Sequence, residues 1–282
     1  MHFRLYILIA FLLLFSVRSV QAEGIQTEAS MEKLSLKIMT LNLHSGINWY
    51  GKYDLDGIVQ FIQEVNPDLI AIQEVDRFWS GLSQYQDIPG ELALRLKMFS
   101  AYSAALERNS GYFGNLILSR YPINYVWTDR LPGLLERRSF LFTQVMVNGV
   151  RVNFLTTHLG LSESDRLQQV NAIMQFLNQV SGPLVIAGDF NGAVNDPAVA
   201  IFEAAFLDSM LINGNPDQGT FRAKNGTIDS RMDYILTTPD FGLERIQVPD
   251  TYISDHLPVV VEVSLQVDQA NVAGQPVYYQ TN

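Results

Sequence analysis

The stretch that decides the fold is Leu184-Val185-Ile186-Ala187-Gly188-Asp189-Phe190-Asn191. Residues 181–183 (Ser-Gly-Pro) precede it and Gly192 follows it, and a short apolar run bounded by turn-forming residues is typical of a strand buried on both faces. Side chains alternate along a strand, so Asp189 and Asn191 should point to the same side at its carboxyl end. Open α/β sheets bind their ligands at this edge, and the stretch therefore predicts an α/β fold with a polar site.

Four other predicted strands, residues 37–42, 69–74, 152–158 and 259–265, have polar side chains at or just before one end. These side chains are Asn42, Glu74, His158, Asp255 and His256. Between the first two strands, Asp54 caps a predicted helix that ends at Asn66-Pro67, so this part of the chain has the pattern of a β-α-β unit with parallel strands.

The remaining elements are predicted from periodicity and turn residues. Asn148-Gly149 joins two β-rich runs, residues 140–147 and 150–158, and Asn-Gly in this position is the signature of a type I′ hairpin turn. Further helices are predicted over residues 90–98, 162–180 and 196–207, and further strands over residues 99–104, 114–121 and 231–236.

Composition limits the class of protein. The 282 residues are 48% hydrophobic, enough to form a substantial core in one large domain or two small ones. The chain contains no cysteine, which excludes disulfides, thiolate metal sites and a cysteine nucleophile. Its net charge of −10 is opposite to that of most nucleic-acid-binding proteins, whereas acidic residues gathered in one cleft would suit a divalent cation.

The N-terminus has the pattern of a secretory signal. Arg4 precedes an apolar run over residues 5–17, and residues 19–22 (Ser-Val-Gln-Ala) end in the small residues that signal peptidases recognise. The run is shorter than the ~20 residues that cross a bilayer. We predict an exported protein, periplasmic or secreted, with a signal peptide over residues 1–22, a polar leader over 23–33, a domain over 34–266 and a polar tail over 267–282. A retained N-terminal membrane anchor is the alternative.

The polar side chains at the strand ends indicate the chemistry. Hard oxygen ligands or hydrogen-bonding groups for phosphate are offered by Asn42, Glu74, Asp189 and Asn191. A site of this composition suits Mg²⁺, which binds through one or two carboxylates and keeps several waters. The histidines of the mature chain, His44, His158 and His256, all fall at strand ends or adjacent loops, where they can act as acids or bases near neutral pH.

Seven short motifs occur in order between residues 34 and 265. They are Thr40-Leu41-Asn42, Ile72-Gln73-Glu74-Val75, Gly114-Asn115-Leu116-Ile117-Leu118-Ser119-Arg120, Thr157-His158-Leu159, Gly188-Asp189-Phe190-Asn191, Met232-Asp233-Tyr234-Ile235 and Ser254-Asp255-His256-Leu257-Pro258. Together they closely resemble the endonuclease/exonuclease/phosphatase superfamily. The resemblance implies a DNase I-like, four-layered α/β/β/α sandwich in which two mixed β-sheets pack face to face with helices outside. It also implies Mg²⁺- or Mn²⁺-dependent hydrolysis of a phosphoester.

The resemblance further implies roles for single residues. The implied metal ligands are Asn42, Glu74 and Asp255. The implied catalytic residues are His158, Asp189, Asn191, Asp233 and His256, and the implied phosphate-binding residues are Asn115, Asn191 and His158. Either Asp189 or the Asp233–His256 pair would take the proton of the attacking water, and both alternatives stay open. The resemblance assigns no role to His44, and Arg137 and Arg138 could reach a phosphate or form a solvated turn.

The substrate is less well specified, because the superfamily acts on nucleic acids, inositol phosphates and phospholipids, and a fold does not choose among them. The sequence has no basic stripe and no long insertion that would clamp a duplex, which favours a lipid headgroup or another small phosphoester over a nucleic acid. Such a substrate is compatible with peripheral membrane contact, and the sequence indicates no obligate protein partner. A secreted nuclease acting on DNA or RNA is the first alternative. An inactive binding module of the same fold is the second, and it is disfavoured because Glu74, Asp233 and His256 are all present.

Overall fold

The computed structural model describes residues 31–268. The predicted signal peptide and most of the predicted leader and tail lie outside these residues. Strand β1 begins at Met31 and strand β14 continues to Asp268. Within residues 31–268, no helix is both long enough and apolar enough to cross a membrane.

The described chain contains fourteen strands and five α-helices. The strands are β1 (Met31–Asn42), β2 (Leu69–Arg77), β3 (Phe99–Arg108), β4 (Gly111–Ser119), β5 (Ile123–Leu131), β6 (Arg138–Val147), β7 (Val150–His158), β8 (Leu184–Asp189), β9 (Leu207–Asp208), β10 (Phe221–Arg222), β11 (Ile228–Ser230), β12 (Asp233–Thr237), β13 (Phe241–Gln247) and β14 (Val259–Asp268). The helices are α1 (Leu55–Val65), α2 (Ile88–Leu96), α3 (Glu163–Leu177), α4 (Pro197–Glu203) and α5 (Ser209–Asn213).

Twelve of the strands form two six-stranded sheets. The first has the order β13-β14-β1-β2-β4-β3 and the second has the order β5-β6-β7-β8-β12-β9. Both sheets are mixed, because β1 pairs with β2 and β7 pairs with β8 in parallel while the other neighbours are antiparallel. Strands β10 and β11 form a separate two-stranded ribbon.

The hydrophobic core lies in three layers. The central layer joins the inner faces of the two sheets, with Ile38 from β1 packed in the same cluster as Phe154 from β7. On the outside, α1 and α2 cover the first sheet, and α3 and α4 cover the second. The predicted four-layered α/β/β/α sandwich is therefore confirmed.

Strand β8 shows how the sequence produces this arrangement. All six of its residues are buried, and they alternate between layers, with Val185 in the central core and Ile186 in the outer one. Gly188 lies so close to β7 that a Cβ atom there would be 2.1 Å from the Thr157 carbonyl oxygen. Glycine at this position therefore permits β7 and β8 to pair at the point where they enter the site.

Most predicted elements are confirmed with small shifts at their ends. Asp54 caps α1 by accepting a hydrogen bond from the Gly57 amide at 2.9 Å, and Asn148 and Gly149 form the hairpin turn with φ angles of 50° and 85°. The helix predicted to run to residue 207 ends earlier, at Glu203. Strands β5 and β13 were not predicted, because both lie at sheet edges and carry exposed polar residues that obscure the apolar alternation.

Candidate active site

Five strands from both sheets bring their polar ends to one edge of the sandwich. In the second sheet, His158, Asp189 and Asp233 occupy directly opposite positions on β7, β8 and β12. In the first sheet, Asn42 ends β1, and Glu74 lies on the adjacent strand β2. The polar strand ends that the sequence predicts to lie together do so.

Asn42 connects the two sheets at this edge. Its Nδ2 donates to Glu74 Oε1 at 3.1 Å and to Asp189 Oδ2 at 3.0 Å, and its Oδ1 accepts from the His44 backbone amide at 3.0 Å. Ser254 Oγ donates to the Asn42 carbonyl oxygen at 2.8 Å, which attaches the loop before β14 to the same point. Because the side chain is buried and fully bonded, it fixes the distance between the two acidic groups.

Asp233, His256 and Asp189 form a buried chain of hydrogen-bonding groups. Asp233 Oδ2 accepts from His256 Nδ1 at 2.8 Å and from Thr220 Oγ1 at 2.7 Å, and His256 Nε2 lies 3.7 Å from Asp189 Oδ2. Burial by itself lowers the pKa of His256, but the charges of Asp233 and Asp189 outweigh it and raise the pKa to about 10. His256 is therefore an imidazolium at neutral pH.

Asp189 stands at the centre of the group. Its Oδ1 accepts from the Asn191 amide at 2.9 Å, while its Oδ2 faces Asn42, His158 and His256. Burial raises the pKa of Asp189 to about 6, since it outweighs the opposing effect of the His256 charge. A carboxylate with a pKa near the working pH is suited to accept a proton.

His158 is held in one protonation state by its neighbours. Arg138 Nη1 donates to His158 Nδ1 at 3.0 Å, and because arginine has no acceptor, the ring proton must lie on Nε2. Burial, together with the charges of Arg138 and His256, lowers the pKa of His158 well below its usual value. The neutral ring directs Nε2 toward Asp189 Oδ2 at 3.3 Å.

His44 and Asp255 form a second pair on the side of the first sheet. His44 Nδ1 lies 3.2 Å from Asp255 Oδ1. Burial opposes ionisation of Asp255, but the contact with His44 outweighs it and lowers the carboxyl pKa, and the same contact raises the pKa of His44. Asp255 is therefore ionised, and His44 holds it in position.

The structure gives the positions of Arg137 and Arg138, which the sequence left open, and of Asn115, which the resemblance assigns to phosphate binding. Arg138 is buried and bridges Glu136 at 2.5 Å to His158, so it supports the site, whereas Arg137 is exposed. Asn115 is also buried, and its Nδ2 donates to the Ser139 carbonyl oxygen at 2.9 Å. No hydrogen bond among residues 31–268 joins Asn115 to Asp189 or its partners, and its contact links β4 of one sheet to β6 of the other.

Three residues of the site have an unusual backbone. Glu74, His44 and Asn191 have φ angles of 54°, 48° and 49°, in the left-handed region that side chains other than glycine seldom adopt. Strained residues of this kind collect at functional sites, where the surrounding structure fixes them. The backbone at Glu74 interrupts the regular pairing of β2 with β4 and gives the carboxylate its direction.

The donor set fits a divalent metal ion. Four carboxylates, of Glu74, Asp189, Asp233 and Asp255, lie at this edge, and Asp189, Asp233 and Asp255 form their ion pairs with histidines. Asp189, Asp233 and His256 place ligand atoms within 4.8 Å of one another. A histidine must be unprotonated to bind a metal ion, however, and the charges of Asp233 and Asp189 favour the protonated form of His256. This favours a cation site on the Glu74 side.

Comparison with known proteins agrees with this site. Residues 39–256 match the sequence pattern of the Endonuclease/Exonuclease/phosphatase family. The chain belongs to the endonuclease/exonuclease/phosphatase family. The match begins in β1 and ends at His256, so it spans the whole group of polar strand ends.

Similar proteins and solved structures show how far the similarity extends. The chain is 27% identical to the uncharacterized protein YbhP of Escherichia coli K12 over 255 residues, covering 83% of this chain and 98% of that protein. An endonuclease/exonuclease/phosphatase structure from Beutenbergia cavernae superposes with a TM-score of 0.70 at 26% identity, covering 83% and 72% of the two chains. A mannosyl-6-phosphatase of Bacteroides thetaiotaomicron superposes with a TM-score of 0.64 at 18% identity, covering 81% and 99%. The last likeness concerns the fold alone.

Proposed function

We propose that the protein is an exported, divalent-metal-dependent phosphodiesterase that acts on a lipid headgroup or another small phosphoester. The observation that carries the proposal is the arrangement of Asp233, His256 and Asp189 beside the Asn42–Glu74 pair, in which His256 is hydrogen-bonded to Asp233 and lies 3.7 Å from Asp189 Oδ2. This arrangement brings together a proton acceptor (Asp189), a cationic hydrogen-bond donor (His256) and an acidic group that could bind a metal ion (Glu74). Each of these groups can stabilise charge or activate water in phosphoester hydrolysis.

The protonation states of Asp189 and His256 indicate different catalytic roles for the two residues. Asp189, whose pKa is about 6, is ionised near neutral pH and accepts the proton of the attacking water. The charges of Asp233 and Asp189 raise the pKa of His256, so this ring is better suited to donate a hydrogen bond to a phosphate oxygen than to accept a proton. Of the two alternatives for the base, the structure therefore favours Asp189.

The neutral residues position the phosphate. His158 presents Nε2–H with its orientation fixed by Arg138, and Asn191 is held by its contacts with Asp189 and Leu159. Glu74, with Asn42 and Asp255 beside it, would hold Mg²⁺ or Mn²⁺. When bound, the cation would stabilise negative charge on the phosphoryl oxygens.

Charge distribution supports a small phosphoester over a nucleic acid. The chain carries a net charge of −10, and Arg138, whose guanidinium contacts His158, is buried and paired with Glu136. A nucleic-acid strand needs several exposed cations along its path. Lipid headgroups and small diesters require only recognition at the phosphate itself.

A substrate screen tests the proposal. The purified protein is incubated with Mg²⁺, Mn²⁺ or Ca²⁺ and with phospholipid vesicles, sphingomyelin, bis-p-nitrophenyl phosphate, plasmid DNA and RNA, with Asp189→Asn as the inactive control. We expect diester cleavage that the control lacks. Preferential cleavage of DNA or RNA would establish the nuclease alternative. Failure to cleave every substrate with every metal would favour the binding module.

Export is tested separately by sequencing the N-terminus of the protein recovered from outside the cytoplasm. We expect a mature chain that begins near Glu23. Retention of residues 1–22 in a membrane fraction would establish the anchored alternative.

A further inference from the structure

Three leucine side chains project into solvent beside the active site. Leu134 and Leu135, in the loop between β5 and β6, are 92% and 72% exposed, and Leu161, in the loop between β7 and α3, is 66% exposed. Because β6 runs antiparallel to β7, the start of β6 and the end of β7 lie together, so both loops adjoin His158. We call these three side chains the leucine tip.

The two loops are also close to each other. Gly133 precedes Leu134, and a Cβ atom on it would lie 3.0 Å from Gln169 Nε2. Gly160 precedes Leu161, and a Cβ atom there would lie 3.2 Å from the same nitrogen. A single side chain of α3 therefore touches both loops immediately before their leucines.

Buried polar groups of α3 fix the backbone of both loops. The carboxylate of Asp165, which is almost completely buried, accepts from the amides of Leu134 at 3.1 Å and Leu135 at 3.2 Å. Gln169 Oε1 accepts from the Gly160 amide at 2.7 Å, and Arg166 Nη1 donates to the Leu161 carbonyl oxygen at 2.6 Å. The leucines are thus exposed on a backbone that is held in place.

From this geometry, we propose that the leucine tip is the surface by which the protein docks on a zwitterionic lipid bilayer. Exposed apolar side chains that lie together mark a site of protein or membrane contact, and a soft bilayer accepts them without a preformed pocket. Among the exposed charges next to the leucines, Glu136 is paired with Arg138, and Arg137 and Glu163 are opposite in sign, so the tip carries little net charge. Insertion of the tip would bring the mouth of the site to the headgroup layer.

This inference rests on the proposed function, because it supplies the way in which a lipid phosphodiester reaches Asp189. It also requires the protein to bind to a membrane, which hydrolysis of a soluble substrate would not require. Docking through apolar tips predicts vesicle binding that depends little on salt, since the hydrophobic contribution is not screened by ions.

Vesicle flotation tests the docking. The exported protein, confirmed by sequencing to lack residues 1–22, is mixed with phosphatidylcholine vesicles at low and high salt, and the bound fraction is measured. The test variant is Leu134→Ser/Leu135→Ser. The matched control is Leu94→Ser, which changes a leucine that is 74% exposed on α2, on the opposite outer layer of the sandwich.

We expect the double variant to lose about tenfold or more in vesicle partitioning, because two leucine side chains would no longer enter the bilayer. Leu94→Ser should bind as the wild type does. Both variants should retain the wild-type melting temperature and the wild-type rate on soluble bis-p-nitrophenyl phosphate, since none of the changed side chains is buried.

The possible failures can be distinguished. If the wild type does not float, or if the double variant floats equally well, the docking surface is wrong whatever the enzyme cleaves. If the wild type floats through the tip but cleaves no lipid, docking stands and the proposed lipid substrate fails. Concentration-dependent self-association in analytical ultracentrifugation that is abolished by the double substitution would make the tip an interface between copies of the chain, and would overturn the proposal.

Discussion

Replacing Asp233 by asparagine would remove the charge that keeps His256 protonated. Asp233 is fully buried, and its Oδ2 accepts from His256 Nδ1 at 2.8 Å and from Thr220 Oγ1 at 2.7 Å. Asparagine keeps the size of the side chain but loses its charge. Because an opposite charge at this distance shifts a pKa by about 1–3 units, we expect the pKa of His256 to fall substantially from its value of about 10.

The size of the effect on catalysis follows from that shift. A pKa of about 10 compared with the usual 6.5 corresponds to roughly 5 kcal/mol of preferential stabilisation of the imidazolium, and the charge of Asp233 is the largest favourable contribution. Loss of a preorganised cationic donor at a developing negative charge typically lowers turnover by about 10²–10³-fold. We expect Asp233→Asn to lie in this range.

Two measurements check this prediction. A ¹⁵N-histidine NMR titration follows the pKa of His256, and steady-state kinetics follow turnover on the substrate identified by the screen. Thr220→Val is the control, because it removes the other hydrogen bond to Asp233 Oδ2 while leaving the carboxylate charge in place. If Asp233→Asn leaves both the pKa of His256 and turnover unchanged, His256 does not act as the cationic donor.

Further predictions concern the same site and the core. Asp189→Asn and His256→Ala should each lower turnover by about 10²–10⁴-fold, with a double variant little worse than the poorer single one in the same kinetic assay. Because the pKa of His256 is raised in the folded state, its protonation contributes to the free energy of unfolding fully below pH 6.5, and this contribution is lost as the pH rises to about 10. Urea unfolding at several pH values should show this loss in the wild type and not in His256→Ala. Asp208→Asn should destabilise the fold by about 3–5 kcal/mol in the same unfolding assay, because it leaves the buried guanidinium of Arg231 unpaired, whereas Asp56→Asn, in an exposed pair, should change little.

Periodicity and turn residues were sufficient to predict much of the fold. The buried strand β8, the hairpin at Asn148-Gly149 and the unit β1-α1-β2 follow from local patterns, and the structure confirms each of them. Strands β5 and β13 lack such a pattern because each pairs on only one side, so their polar residues stay in solvent. Their positions are set by pairing with β6 and β14, which is not a local property of the sequence.

In the site, too, some contacts could be predicted from the sequence and others depend on how the sheets pack. Strand ends in one sheet can be expected to meet, but the contact between Asn42 and Asp189 joins residues 147 positions apart in different sheets, and only packing of the sheets produces it. The pairing of His44 with Asp255 depends on a left-handed backbone at His44, for which the sequence carries no strong signal. The hydrogen bond from Arg138 to His158 could not be predicted either, because the sequence around Arg138 is equally consistent with a solvated turn.

The central claim is that Glu74 lies at a metal-dependent phosphoesterase site, and the most direct test is a metal titration of phosphodiester hydrolysis. The wild type and Glu74→Gln are stripped with EDTA and then titrated with Mg²⁺ and with Mn²⁺. We expect no hydrolysis in chelator, recovery of the wild type with either ion, and a higher metal requirement for Glu74→Gln with an unchanged melting temperature. Full activity in chelator, or the same metal requirement in both proteins, would contradict the claim.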